Sequence, residues 1–231
     1  MDSRSITLAQ ANVSVRQKFM AGVYGWMASG LLISAVAAFF TANTLFIRNL
    51  LFGNLFVMIG LVIIEFVLVF TLVGRIAKMS VSSARFFFIL YSIVNGITLS
   101  SVLLLYTGTS IAQIFFTTAL MFGAMSVYGL KTKTDLSSFG RYFTMAIIGL
   151  IIASLFNIFL HSDGLDWIIS IITVVVFTGL TAYDTQKMMR ISVYADGSEN
   201  FQKVAIIGAL ELYLDFINMF LALLRLFGSR D

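Results

Sequence analysis

The sequence predicts an all-α integral membrane protein in which seven helices cross the bilayer. Of its 231 residues, 59% are hydrophobic and 11% are charged, whereas soluble domains average about 25% charged residues. A helix needs roughly 20 mostly apolar residues to cross a hydrocarbon core of about 30 Å. Seven segments of that kind occupy most of the chain, so little length is left for a separate soluble domain.

The predicted spans are separated by short connections, which favour a compact antiparallel bundle. Proline is absent, so proline kinks are not expected in the spans, while the 17 glycines permit close contacts between helices. The predicted division is a cytoplasmic N-terminal tail at residues 1–23 and a single transmembrane domain at residues 24–228. Within that domain the spans lie at residues 24–41, 51–73, 86–106, 111–130, 142–160, 167–189 and 205–227.

Each span is recognised by its apolar run, and some are marked by further residues. Trp26 and Trp167 lie near the starts of the first and sixth spans, where aromatic side chains anchor helices at the membrane interface. Arg75 ends the second span, and the third, fourth and fifth spans are defined by apolar length alone. The second, sixth and seventh spans carry carboxylates, namely Glu65, Asp184, and Glu211 with Asp215.

The distribution of Lys and Arg predicts the orientation of the bundle. Counted from the tail through each connection to the C-terminal end, the basic residues number 3, 1, 3, 0, 3, 0, 3 and 2, with the end of the sixth span counted in the loop that follows it. Alternate connections thus hold 12 and 3 of them, and cytoplasmic loops are the basic ones. We expect the N-terminus and the loops 74–85, 131–141 and 190–203 in the cytoplasm, with the C-terminus outside. A re-entrant last segment, which would bring the C-terminus inside, is the alternative.

Carboxylates within the spans need a partner or a function. A charged side chain at the bilayer centre costs roughly 2.5 to 3.5 kcal/mol on insertion scales, whereas Leu, Ile, Phe or Val contributes only about 0.3 to 0.6 kcal/mol. In the last span Glu211 and Asp215 are four residues apart and Asn218 follows at three, so all three share one helical face. Because that face cannot contact lipid, the last helix is expected at the centre of the bundle. A hydrogen-bonded structural stripe is the alternative.

A cluster of such carboxylates would bind protons and cations. Glu65 lies about 15 Å deeper in its helix than Arg75, from a rise of about 1.5 Å per residue, which brings it to the depth of Asp215. Carboxylates around one dry cavity share protons instead of all ionising. Negatively charged oxygens are also the ligands that calcium prefers. The pattern therefore predicts a pH sensor on a cation path.

An arginine is available as a partner for one of these acids. Asp184 lies near the cytoplasmic end of the sixth span, and Arg75 ends the second span on the same side. If the two helices are neighbours, the carboxylate and the guanidinium would form a latch. For Arg75 alone, an interfacial charge that sets the topology is the alternative.

Two motifs resemble the Bax inhibitor-1 family, especially its short bacterial members: "AYDTQKM" in the sixth span and "ALELYLDFINMFLALLRLFG" in the last. The resemblance implies a last helix wrapped by the other six and a pH-dependent calcium leak across the bacterial inner membrane. It implies that Asp184 and Asp215 form the pH sensor and are candidate ligands of a calcium ion. It also implies that Arg75 forms the latch. It also implies links to stress response, cell-death suppression and a membrane protease.

Depth along the helices leaves the partner of Asp184 open. Asp184 is about 7.5 Å from the cytoplasmic end of its span, while Asp215 is about 15 Å from the end of its own. Depth alone pairs Asp184 with Glu211, whereas the resemblance pairs it with Asp215.

The sequence therefore predicts a pH-sensitive calcium leak that is not an enzyme. Its expected partners are membrane lipid, calcium ions and protons, with no cofactor and no nucleic acid. A proton-coupled calcium exchanger is a close variant, and a scaffold that binds a membrane protease through the N-terminal tail is an alternative of a different class. An intramembrane aspartyl protease is disfavoured, because Asp215 lacks the Gly-x-Gly context of those enzymes and the chain has no proline for their Pro-Ala-Leu motif.

Overall fold

The computed structural model of the chain describes residues 3–230, and the side chains of residues 13–230 apart from those of residues 52 and 55. Those residues form eight α-helices and contain no β-strand. The helices are α1 (Ser3–Asn43), α2 (Leu45–Phe52), α3 (Leu55–Arg75), α4 (Val81–Leu105), α5 (Gly108–Lys131), α6 (Gly140–Leu160), α7 (Asp163–Ser192) and α8 (Glu199–Phe227).

The predicted fold class is confirmed, because seven of these helices are long and apolar enough to cross a membrane. The remaining helix, α2, is short and lies in the connection between the first two spans. We predicted that the second span begins at residue 51, but α3 begins at Leu55, after Asn54 accepts a hydrogen bond from the Phe56 amide at 2.9 Å. The apolar residues of α2 come just before those of α3 in the sequence, so the two segments were predicted as one apolar run.

Helix α1 continues through the predicted boundary at residue 23. Its candidate span starts at Val13, and the side chains of Phe19 and Val23 are buried. The Phe19 ring meets the Phe201 ring edge to face, with 6.1 Å between the centroids. Residues 13–23 of the predicted tail are thus packed helix, while the side chains of residues 1–12 lie outside the described part of the chain.

The chain divides into two compact units. Unit 1 consists of the residues up to Leu105 together with Ile191–Tyr213, and unit 2 consists of Tyr106–Arg190 together with the residues from Leu214 onward. The division runs through α8, whose residues belong to both units. Of the seven candidate spans in the described residues, α8 has the largest buried share, at 67% of its apolar window. This burial is what the sequence predicts for the last helix.

In unit 1, glycines bring α1 and α4 close together. A Cβ atom on Gly96 of α4 would collide with the backbone carbonyl of Ser34 on α1, and one on Gly30 would lie 2.8 Å from the Phe88 ring. The backbones therefore approach to a distance that only glycine permits.

In unit 2, glycines bring the C-terminal half of α7 close to α5 and α6. A Cβ atom on Gly129 of α5 would collide with the Ala182 carbonyl, and one on Gly179 would lie 2.7 Å from the Phe143 ring of α6. The part of α7 that carries Asp184 is therefore held between α5 and α6.

We predict that Gly96→Ala destabilises the protein, whereas Gly149→Ala does not. A Gly→Ala change in an open helix position stabilises by about 0.5 to 1 kcal/mol, and a Cβ at Gly149 has nothing within 4 Å. At Gly96 the added atom meets backbone, and overpacking of that kind costs about 1 to 3 kcal/mol. Thermal unfolding followed by circular dichroism in one detergent checks this. Equal midpoints for the two variants would contradict the packing described here.

Candidate polar site within the spans

Four helices of unit 1 are joined by one chain of side-chain hydrogen bonds. Asn95 of α4 donates from Nδ2 to Glu65 Oε2 of α3 at 3.3 Å. The Tyr213 hydroxyl of α8 donates to Asn95 Oδ1 at 2.7 Å, and it lies 2.7 Å from the Ser34 hydroxyl of α1. We call this set of residues, Glu65, Asn95, Tyr213 and Ser34, the Glu65 chain.

The Glu65 chain is shielded from solvent along most of its length. Tyr213 is 0% exposed, Ser34 is 1% exposed and Asn95 is 8% exposed. Glu65 is half-buried, and its Oε1 atom accepts no hydrogen bond from the described residues. The hydroxyl of Thr98, one turn beyond Asn95, donates to the Val94 carbonyl at 3.3 Å. A buried carboxylate oxygen that accepts no hydrogen bond costs free energy. The surroundings of Glu65 Oε1 therefore favour the protonated form of this carboxyl group.

Counting protons shows that the Glu65 chain is incomplete when Glu65 is ionised. The Asn95 amide then donates to Glu65 and the Tyr213 proton goes to Asn95. Three oxygens lie within reach of the single proton of Ser34: the Tyr213 oxygen and the Ser92 carbonyl, each 2.7 Å away, and the Gly30 carbonyl at 3.0 Å. A hydroxyl has one proton to donate, so the Tyr213–Ser34 contact competes with two backbone carbonyls for it.

A proton on Glu65 would complete the chain. If the Asn95 amide turned by half a rotation, protonated Glu65 would donate to Asn95 Oδ1, and Asn95 Nδ2 would donate to the Tyr213 oxygen. Tyr213 would donate to Ser34, and Ser34 to the Ser92 carbonyl. Each contact between the four residues of the Glu65 chain, and the contact of Ser34 with the Ser92 carbonyl, would then hold one hydrogen.

The two predicted sensor aspartates are both buried, and both belong to unit 2. Asp184 on α7 is 7% exposed and Asp215 on α8 is 3% exposed. Asp184 Oδ1 lies 3.9 Å from Lys187 Nζ, one turn further along α7. Asp215 precedes Phe216, whose ring packs 5.2 Å from the Phe115 ring of α5. The pairing of the aspartates with each other stays a prediction.

Three other predicted site residues, Glu211, Asn218 and Arg75, differ in their exposure and in their contacts. Glu211 is half-buried in the part of α8 that belongs to unit 1. Asn218 donates from Nδ2 to the Leu214 carbonyl of its own helix at 2.8 Å. Arg75 is exposed at the end of α3; it belongs to unit 1 and Asp184 to unit 2, and the latch between them stays a prediction.

Gln186 of the "AYDTQKM" motif has a structural role that sequence reasoning missed. Its Oε1 accepts from the Leu136 amide at 2.9 Å, and its Nε2 donates to the Thr134 carbonyl at 2.8 Å. Gln186 is buried, so both ends of its amide are satisfied by the connection that follows α5. The only sequence signal was an amide side chain two positions after Asp184, in the C-terminal third of α7.

An exposed ion pair continues this attachment outside the span. Arg190 Nη2 donates to Asp135 Oδ1 at 2.7 Å. Hydrogen bonds from the Ser137 hydroxyl and then from Arg190 hold the pKa of Asp135 well below its ordinary value. Asp135 therefore stays ionised through the neutral range, and the pair fastens the α5–α6 connection to the end of α7.

The described residues contain no group of three or more His, Asp or Glu side chains placed to hold a metal ion. Calcium favours six to eight oxygen ligands. A calcium ion at Asp184 and Asp215, as the sequence predicts, would thus be held by few carboxylates.

The family model described as "Inhibitor of apoptosis-promoting Bax1" matches residues 16–231 of the chain. The chain belongs to the Bax inhibitor-1 family. The match includes every carboxylate of the spans, so all of the candidate residues lie within the part that this Bax inhibitor-1 protein shares with its family.

Relatives in several bacteria are similar to this chain over almost their whole length. Inner membrane protein YbhL of Escherichia coli K12 is 48% identical over 229 residues, which cover 98% of this chain and 97% of that protein. A protein of Borreliella burgdorferi is 44% identical over 226 residues, 97% of each chain. A membrane protein of Streptococcus pyogenes serotype M6 is 36% identical over 231 residues, 98% of each chain. Two of these Bax inhibitor-1 relatives are named as membrane proteins, in agreement with the seven spans described here.

We predict that Tyr213→Phe destabilises the bundle by about 0.5 to 2 kcal/mol, because Asn95 Oδ1 loses its donor in a buried position. Tyr142→Phe is the matched control, since Tyr142 is 63% exposed on α6. Thermal unfolding of both variants in the same detergent checks the prediction. If the two variants unfold together, the Tyr213 hydroxyl does not support the Glu65 chain.

We also predict that Gln186→Leu releases the connection after α5. The Leu136 amide donates to Gln186, so its hydrogen exchange should become at least about ten-fold faster when that acceptor is lost. Gln113→Leu, an exposed site on α5, is the control and should leave the exchange unchanged. Hydrogen exchange read by mass spectrometry on peptides that cover residues 132–139 measures the difference. Unchanged exchange in Gln186→Leu would show that these bonds do not hold the connection.

Proposed function

We propose that the protein is a pH-sensitive leak for calcium ions in a bacterial inner membrane, with intramembrane carboxylates that bind both protons and the ion. The observation that carries this proposal is the burial of Asp184 and Asp215 inside two spans of unit 2. An ionised carboxylate at such a position is costly and is retained where it serves an ion or proton pathway.

Competition between protons and calcium gives the leak its pH dependence. Calcium binds ionised carboxylates, and protonation removes both the charge and an acceptor lone pair. Few carboxylates are available to one ion, so binding is weak. Weak binding suits conduction, because an ion must leave its site as readily as it enters.

The Glu65 chain is a second element that responds to protons in this proposal. With a proton on Glu65, the chain joins α1, α3, α4 and α8 of unit 1 without a missing hydrogen. Loss of the proton removes one link. Tyr91 of α4 and Tyr213 of α8 are titratable groups close enough to interact electrostatically with Glu65, and among the described residues no Lys or Arg forms a salt bridge with it.

The proposal includes the topology and the latch that the sequence predicts. The N-terminus would face the cytoplasm and the C-terminus the outside, with Arg75 as an alternate partner of Asp184. One relative is named as an inner membrane protein, which supports the choice of membrane. The protein would need no enzymatic step and no cofactor.

A scaffold that binds a membrane protease through the N-terminal tail is the competing function. Its proposed contact falls mainly on residues 1–12, whose side chains lie outside the described part of the chain. Deletion of residues 1–15 would abolish partner capture if the tail is the binding element, while a leak would keep its flux.

Calcium flux in liposomes tests the leak directly. Purified protein should carry calcium into vesicles that hold an indicator dye, and the rate should change with pH. We predict that Asp184→Asn or Asp215→Asn flattens this pH profile, because an amide cannot take up the proton. Asp163→Asn, at an exposed position at the start of α7, should keep the profile of the original chain.

Two further results would be decisive. A wild-type protein that carries no calcium at any pH would exclude the leak. An imposed proton gradient that drives calcium uphill would show instead that the protein is an exchanger, since a leak only lets the ion run down its own gradient.

A further inference from the structure

Unit 1 contains a cavity of about 470 Å³ at the end where the span of α1 begins. This volume is within the range of small-molecule sites. Three segments line it: residues 15–26 of α1, Arg85 near the start of α4, and the α7–α8 connection with the start of α8. The positive-inside count predicts that all three segments face the cytoplasm.

Two cations line the cavity, and neither has an acidic partner in the part of the chain that the structure describes. The Arg85 guanidinium is oriented by neutral groups, because Nη2 donates to Gln202 Oε1 at 3.1 Å and the guanidinium carbon lies 5.6 Å from the centre of the Trp26 ring. Lys18 is exposed on α1. Neither Lys18 nor Arg85 forms an ion pair with a described residue. Both charges are therefore available to an anion.

The segments that line the cavity carry both basic residues and exposed aromatic residues. The segments 13–24, 74–85 and 191–203 hold two, three and one basic residues, six in all, against two acidic ones. Those acids, Asp196 and Glu199, do not line the cavity. The chain neighbours of two lining residues are exposed aromatic residues, Phe86 after Arg85 at 60% and Tyr194 before Ala195 at 78% exposure. This combination suits the headgroup region of a membrane, where aromatic side chains and cations meet anionic lipid.

We propose that this cavity binds the phosphate of an anionic phospholipid such as phosphatidylglycerol. Lys18 and Arg85 hold the phosphate through charge-assisted hydrogen bonds. Phe19, Trp26 and Phe201 line the same cavity and contact the glycerol and the first acyl carbons. A lipid is favoured over a soluble anion because most of the lining residues are apolar and exposed aromatic residues follow or precede lining residues in the chain.

Quenching of Trp26 by brominated lipid tests the site. The chain has two tryptophans, and only Trp26 lines the cavity. The substitution Trp167→Phe therefore leaves Trp26 as the single tryptophan whose fluorescence is measured. The protein is reconstituted into phosphatidylcholine vesicles, and phosphatidylglycerol with brominated acyl chains is added in increasing proportion. Brominated phosphatidylcholine is the comparison lipid. Phosphatidylglycerol should quench Trp26 at a lower mole fraction, and Lys18→Gln or Arg85→Gln should raise the half-quenching fraction by about five-fold each.

Controls separate the lipid site from general charge effects. Lys133→Gln, in a basic connection of unit 2, should leave the half-quenching fraction unchanged, and Arg85→Lys should keep most of the preference. If Arg85→Gln fails to fold by circular dichroism, Lys18→Gln decides, because its side chain is exposed. Equal quenching by the two lipids, or a preference that survives Lys18→Gln, would overturn the proposal. Restoration of Trp26 fluorescence by inorganic phosphate alone would also overturn it, since the site would then take a soluble anion.

Discussion

The absence of water in the hydrocarbon core is the constraint on which this structure depends, because every polar side chain there must find its partner within the protein. Ser34, Asn95 and Tyr213 meet that requirement together, and they reach Glu65 through one continuous chain of hydrogen bonds. The chain needs its helices at a fixed spacing. Gly96 provides the spacing between α1 and α4 because a larger residue would collide with the Ser34 carbonyl. In unit 1, the polar side chains can therefore form their hydrogen bonds only where the helices pack closely.

The same constraint connects the structure to function. A carboxylate inside a span is tolerated as a neutral acid, as a member of an ion pair or as a ligand, and each state changes with the proton concentration. Glu65 in unit 1 and the pair Asp184 and Asp215 in unit 2 therefore make both units sensitive to protons in the proposed leak. On α7, Gln186 supports the segment that carries Asp184 by anchoring the connection after α5. Within this motif, Asp184 is thus the proposed proton-binding residue, and Gln186 is a structural residue.

Hydropathy and charge were sufficient to predict the fold class, the seven spans and the carboxylates within them. Those features depend on length and composition, which a sequence carries directly. The partners of the carboxylates were not predictable in the same way. Asn95, Tyr213 and Ser34 lie on three different helices, and nothing in their spacing shows that they meet. Helix α2 was missed because its apolar residues run into the next span, and the helical packing of residues 13–23 was not predicted because that stretch is polar and basic.

Whether Glu65 takes up a proton inside the bundle can be measured by infrared difference spectroscopy of the reconstituted protein during acidification. A chain that carries Asp184→Asn, Asp215→Asn and Glu211→Gln removes the bands of the other carboxylic acids that are buried or half-buried within the spans. Acidification should then produce the carbonyl stretch of a protonated, hydrogen-bonded carboxyl group, and Glu65→Gln in the same background should abolish it. A band of the same intensity in Glu65→Gln, or no band in either chain, would show that the hydrogen-bond chain of unit 1 does not bind the proton.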